Sequence, residues 1–133
     1  MVKRCINPPE LAPAIGPYSW ATRIGPGDLV FVAGNAALDS SGRVVAVGDI
    51  RGQTEQTLEN IKLTLEAAGA TLSDVVKTTV YLTDVANYGG YNEVYRRYFP
   101  TDPPARATLL TGLVVEGLLI EIEAIAVVER PAG

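Results

Sequence analysis

The stretch LLIEIEAIAVV, Leu118 to Val128, constrains the fold more than any other part of the chain. It alternates with the period of a β-strand. Ile120, Ile122, Ala124 and Ala126 therefore point one way, and Glu121, Glu123, Ile125 and Val127 the other. Neither face is polar throughout, so a strand of this kind asks for cover on both sides. If helices supply one layer, a partner subunit is the economical source of the other. The two carboxylates then need a reason, because acidic residues are seldom buried without a partner.

Composition narrows the setting. The chain has 133 residues, 47% of them hydrophobic and 20% charged, which fits one globular domain over 1–133 and excludes a disordered chain. It is apolar for its size, and part of that apolar surface is expected in a subunit interface. The net charge is −4, and only Lys3–Arg4 and Arg96–Arg97 are adjacent basic pairs, so no basic stripe is available for nucleic acid. The chain contains no histidine and one cysteine, Cys5. It thus lacks an internal disulfide, a Cys-rich metal site and the commonest neutral-pH base, which removes histidine triads and metal hydrolysis; no cofactor is implied. The N-terminus has no apolar signal region, and no run of ~18 uncharged apolar residues occurs. A cytoplasmic protein with no membrane partner is the expectation.

Along the chain, residues 1–17 are rich in proline and glycine and predict an extended arm. YSWATRI reads as a first strand, ended by GPGD. LVFVAGNAAL, apolar on both faces, reads as a central strand, followed by a DSSG turn into a short strand RVVAV. Asp49 is placed to cap a helix carrying Thr54, Leu58, Ile61, Leu65 and Ala68 on one face, with Gly69 ending it. DVVKTTVYLTD is the next strand, and strand–helix–strand implies a right-handed crossover with a parallel pair. A second helix is expected from Asn87 to Phe99, with Tyr88, Tyr91, Tyr95 and Tyr98 as its buried stripe. ARATLLTGL and LLIEIEAIAVV then form a closing hairpin about Val115–Glu116. The fold class is α+β: a mixed sheet with two helices packed on one face.

Arg106, at the head of PPARATLL, is the candidate partner for an acid. Its guanidinium suits bidentate capture of a substrate carboxylate, or a salt bridge to one of the two glutamates. In the hairpin register Arg106 lies near Ile125 or Ala126 and Glu121 near Leu110 or Thr111, which is on the order of 15 Å apart in one chain. A site that uses both would be completed across a subunit boundary.

The segments AIGPYS, VAGNAAL, TLENIKLTLEAAGATLSDVVKTTVYLTD, YNEVYRRYFP, PPARAT and IEIEAIAV, in that order from Ala14 to Val128, resemble the RidA (YjgF-like) family of imine and enamine deaminases. The resemblance implies a chorismate-mutase-like fold assembled as a homotrimer with clefts between subunits. It implies hydrolysis of reactive 2-aminoacrylate-type enamines and 2-iminoacids, released by pyridoxal-phosphate enzymes, to 2-keto acids and ammonia. By residue, it makes Arg106 the clamp for the substrate carboxylate, Glu121 the group that orients or activates water, and Tyr18 a cleft tyrosine. Gly34 matches a glycine whose backbone lies against the ligand, and Asn92 a cleft asparagine. Thr108 borders the same cleft, and Glu123 is read as structural.

Without the resemblance, Asn92 reads as a surface polar residue, Tyr18 as packing for the arm and Gly34 as a packing glycine. The chain also departs from the common family pattern. Ala107–Thr108 stands where many relatives carry Ser-Cys, and Asn35–Ala36–Ala37 follows the strand glycine. These positions bear on substrate range. A dedicated catabolic deaminase for an aminomuconate-like enamine, a non-enzymatic metabolite-binding or chaperone-like trimer, and an endoribonuclease are the alternatives.

Overall fold

The computed structural model describes residues 3–130; residues 1 and 2 of the expected arm, and the last three of the chain, lie outside them. Strand β1 (Lys3–Ile6) pairs antiparallel with β2 (Ala21–Ile24) in a small two-stranded sheet. The main sheet holds β3 (Asp28–Ala36), β4 (Val75–Leu82), β5 (Ala105–Leu110) and β6 (Ile120–Val128), in the order β3-β6-β4-β5. Helices α1 (Ile50–Ala67) and α2 (Tyr88–Tyr98) pack together on one face of it. This is the α+β arrangement the sequence implies.

The helices begin and end where local chemistry requires. The Asp49 side chain accepts from the Gly52 amide at 3.1 Å, which satisfies one of the orphan donors of the first turn of α1. Gly69 adopts φ +78°, the left-handed conformation that suits the residue just past a helix. Leu58, Ile61 and Leu65 are fully buried against the sheet, whereas Ala68, expected on that stripe, is the exposed C-cap and Ala70 fills the core instead. Buried Gln53 on the same helix donates to the Gly117 carbonyl at 2.9 Å and accepts from the Leu119 amide at 2.7 Å, fixing the loop that feeds β6.

The arm is extended, and β1 within it is paired with β2. Other expectations are corrected. RVVAV forms no strand; only an isolated bridge joins Leu38 to Val44. β3 lies at the edge of the sheet, not its centre, and its apolar second face is open, with Phe31 71% exposed. Apolarity on both faces thus marks a strand left uncovered by its own chain. Finally, β5 and β6 are not a hairpin. β4 lies between them, parallel to β5 and antiparallel to β6. The parallel neighbours are β4 and β5, joined through α2. β3 and β4, joined through α1, run the same way but are separated by β6. Inserting β4 between β5 and β6 shields Ile120, Ile122, Ala124 and Ala126 from water on both strand edges as well as under the helices.

Candidate functional site

Alternation along β5 places Arg106 opposite Thr78, and Thr108 opposite Val80, on the helix-covered face. The Arg106 guanidinium lies among four phenol rings, 5.1 Å from the Tyr18 centroid, 5.8 Å from Tyr88, 4.8 Å from Tyr91 and 5.0 Å from Tyr95. It donates to Asn92 Oδ1 at 2.8 Å and to Tyr88 Oη at 3.2 Å. Among the described residues, no carboxylate pairs with it: the ion pairs are Arg43–Asp39, Arg51–Glu93 and Arg130–Asp28. The salt bridge to a glutamate is therefore not formed. A half-buried cation compensated only by ring faces and neutral oxygens is poised for an external anion.

Around it, Ile15, Tyr18, Leu82, Val85, Tyr88, Thr108 and Leu110 enclose a cavity of about 410 Å³. Tyr18 Oη accepts from the Ile15 amide at 3.3 Å, and its ring meets Trp20 edge-on at 5.5 Å, which ties the arm to the cavity rim. Tyr91 and Thr108 hydroxyls lie 2.7 Å apart, as do those of Tyr95 and Thr78. Burial, chiefly, raises the pKa of both Tyr91 and Tyr95, with the Arg106 charge opposing it, so the phenols stay protonated beside the cation.

Glu121 is on the other face. It is opposite Tyr81 on β4 and Ala36 on β3. A β-bulge in β3 sets Ala33 and Gly34 against the single residue Glu123, and this brings Gly34 onto Glu121. A Cβ at Gly34 would lie 2.6 Å from Glu121 Oε2, so the close approach is possible only for glycine. Glu121 makes neither ion pair nor hydrogen bond among the described residues. With Gly34, Tyr81, Glu123 and the Leu109–Val114 segment it lines a second cavity, of about 460 Å³. Tyr81 donates its hydroxyl to Glu123 Oε1.

The structure thus brings Arg106, Tyr18, Asn92 and Thr108 together in one cavity, and Glu121 and Gly34 in another. The two groups do not meet within the chain. Arg106 and Glu121 are two strands and three residues apart, roughly 14 Å along the sheet, with side chains on opposite faces. The separation inferred from sequence therefore stands, although the hairpin used to infer it does not. Leu110, at the end of β5, lines both cavities.

Asn92 is 7% exposed, not a surface residue, and its buried oxygen is held by Arg106. Sequence reasoning missed the double duty of the tyrosine stripe, which is core on one side and the Arg106 box on the other. It also missed Gly16, where a Cβ would lie 2.5 Å from Arg106 Nη2. The available signal was a glycine between Ile15 and Pro17, directly before the cleft tyrosine. Tyr81 carried no signal beyond strand propensity.

Comparison with known proteins agrees with this fold. Residues 9–128 match the family model described as Endoribonuclease L-PSP. The chain is 40% identical over 127 residues to Protein DfrA of Myxococcus xanthus, covering 96% of this chain and 97% of that protein. It is 44% identical over 126 residues to a RutC family protein of Pyrococcus abyssi, covering 95% and 98%. Among solved structures, the Rid family protein YyfB of Yersinia pestis superposes with a TM-score of 0.87 at 34% identity, covering 96% and 100% of the two chains. RidA of an Antarctic Psychrobacter superposes with a TM-score of 0.71 at 33% identity, covering 94% and 99%. A sheet with two helices on one face, matched over nearly its whole length in sequence and in structure, places this chain in the Endoribonuclease L-PSP family, the Rid or YjgF-like proteins.

Proposed function

We propose that this protein hydrolyses reactive 2-iminoacids and their enamine tautomers, of the 2-aminoacrylate type, to 2-keto acids and ammonia. The observation that carries this reading is Arg106: a half-buried guanidinium with no carboxylate partner among the described residues, facing a cavity that fits a small organic acid. The substrate carboxylate takes the guanidinium edge in a charge-assisted pair, and Tyr18, Thr108 and Asn92 complete that half of the site. Gly34 and Glu121 supply the other half from a neighbouring subunit of a homotrimer. Exposed Leu29, Phe31, Leu109 and Val114 on the uncovered side of the sheet and its loop support such an assembly.

The enamine first tautomerises to the imine, whose C2 is already electrophilic. Glu121 accepts a proton from a water as its oxygen bonds to C2, giving a carbinolamine. The imine nitrogen takes up a proton from solvent in that step; Glu121 then returns its proton to the nitrogen, the C–N bond breaks to release ammonia, and the hydroxyl gives up its proton to solvent, leaving the keto acid. Two well-placed groups suffice, since the work is chiefly orientation and proton transfer through one carboxylate. The lack of histidine is no obstacle to it.

The family model's description names an endoribonuclease. An acidic chain of net charge −4 without histidine does not favour that chemistry here. The deciding assay adds the protein to a serine or threonine dehydratase reaction and follows ammonia and keto-acid release. Wild type should accelerate release, and Arg106→Ala should lose about a hundredfold or more of that acceleration, the worth of two charge-assisted hydrogen bonds. Equal acceleration by the two proteins would refute the deaminase reading.

A further inference from the structure

The Glu121 cavity contains a linkage that the proposed reaction does not use. Tyr81 and Glu121 face each other across β4 and β6, and Thr79 and Glu123 form the next pair on the same face. Directly opposed residues of an antiparallel pair have their Cβ atoms about 5 Å apart, so the Tyr81 side chain lies alongside Glu121. Its hydroxyl does not bond to Glu121. It reaches diagonally to Glu123 Oε1 instead. The hydrogen bond to Glu123, foremost, raises the Tyr81 pKa, with the Glu121 charge contributing, which keeps the phenol protonated and donating. Lys77 is the other charged residue on this face of β4, one pair beyond Glu123.

We infer that the Tyr81–Glu123 hydrogen bond is a positioning device that confines the Glu121 carboxylate between the Tyr81 ring and the bare Cα of Gly34. A phenol ring on a sheet surface can swing about χ1; anchored at its far end to the next strand, it cannot. Glu121 has three rotatable bonds and no hydrogen-bond partner among the described residues, so neighbouring walls alone can hold it. Glycine forms one wall, on β3. The pinned ring forms the other, on β4. Glu123 thereby gains a role through Tyr81 and is kept bonded, instead of competing with Glu121 for a water. Tyr81 and Glu123 are positioning residues, and the inference rests on Glu121 being the group that handles the attacking water.

The test is a double-mutant cycle with a conservative rescue. Tyr81→Phe and Glu123→Ala should each lower kcat in the dehydratase-coupled assay about three- to tenfold, with KM nearly unchanged because Arg106 is untouched. The double variant should be no worse than either single one, as for two ends of one linkage. Glu123→Gln, whose amide oxygen still accepts from the phenol, should recover most of the kcat lost in Glu123→Ala. A purely structural role would instead lower thermal stability and shift kcat and KM together, without rescue.

Crystal structures of wild type and Tyr81→Phe give an activity-independent reading: Glu121 in one rotamer in the first and in several in the second. If wild type proves inactive while Glu121 loses its order in Tyr81→Phe, the deaminase reading fails and the confinement of the Glu121 carboxylate by Tyr81 and Glu123 stands. If wild type is active and Tyr81→Phe leaves kcat and the Glu121 rotamer unchanged, the positioning role is overturned.

Discussion

At the scale of single residues, the feature that sets this chain apart is how much close approach it demands of glycine. Gly34 touches the Glu121 carboxylate and Gly16 touches the Arg106 guanidinium, on opposite faces of the sheet. Neither needs an unusual φ; each is glycine because a side-chain head lies where a Cβ would be. In Gly34→Ala, the carboxylate is the far end of a flexible side chain and can move aside, so stability should change little. Activity should fall roughly tenfold, since misplacement on the order of 1 Å is costly to a positioned catalytic group. Paired thermal melts and coupled kinetics on Gly34→Ala would check this; a matching loss of stability and activity would assign Gly34 to packing. Sequence could flag Arg106 and Glu121, because charges inside apolar strands stand out. It could not separate Asn92 from a surface residue, because one polar residue on a helix reads the same whether it faces water or a guanidinium.

At the scale of elements, α2 carries two functions on one stripe. Tyr91 and Tyr95 are fully buried core residues, and their rings also form two walls of the Arg106 box. Burial raises both pKa values above the ordinary value of 10.0. Above about pH 10 the unfolded chain releases these protons while the folded chain retains them, so the folded state binds more protons and stability falls as pH rises. Below that the contribution is fully present. Urea unfolding midpoints should therefore be flat from pH 8 to about 10 with respect to these groups and fall beyond it. Tyr95→Phe should have a shallower alkaline decline than wild type. An identical decline in both would remove Tyr95 as a cause.

Elements were largely legible in sequence because helix signals are local. Asp49, Gly69 and the tyrosine spacing mark their helices without reference to the rest of the chain. Strand neighbours are set by tertiary packing, and nothing in ARATLLTGL or LLIEIEAIAVV says that β4 lies between them. The short loop from Thr111 to Leu119 invited a hairpin, but the gain from shielding the edges of β6 decides otherwise. The edge position of β3 is hidden for a related reason. Two apolar faces read alike whether a strand is buried within its own chain or left open by it, and here Phe31 is left exposed.

At the scale of the whole molecule, the same exposure and the split site point to one explanation. Among the described residues, one cavity holds a cation without an anion and the other a carboxylate, Glu121, without a donor, on opposite faces of a sheet whose uncovered side exposes Leu29 and Phe31. Each half is chemically incomplete alone. A homotrimer that sets the Glu121 cavity of one subunit against the Arg106 cavity of the next would complete both and cover Phe31 in the same step. The most direct test mixes two inactive proteins. Arg106→Ala and Glu121→Ala are unfolded together at equal concentration, refolded, and assayed for keto-acid release from a dehydratase reaction. In randomly mixed trimers about one cleft in four pairs an intact Arg106 with an intact Glu121 from different chains, so about a quarter of wild-type activity should return. Mixed protein that assembles normally yet stays as inactive as its two parents would contradict a site shared between subunits.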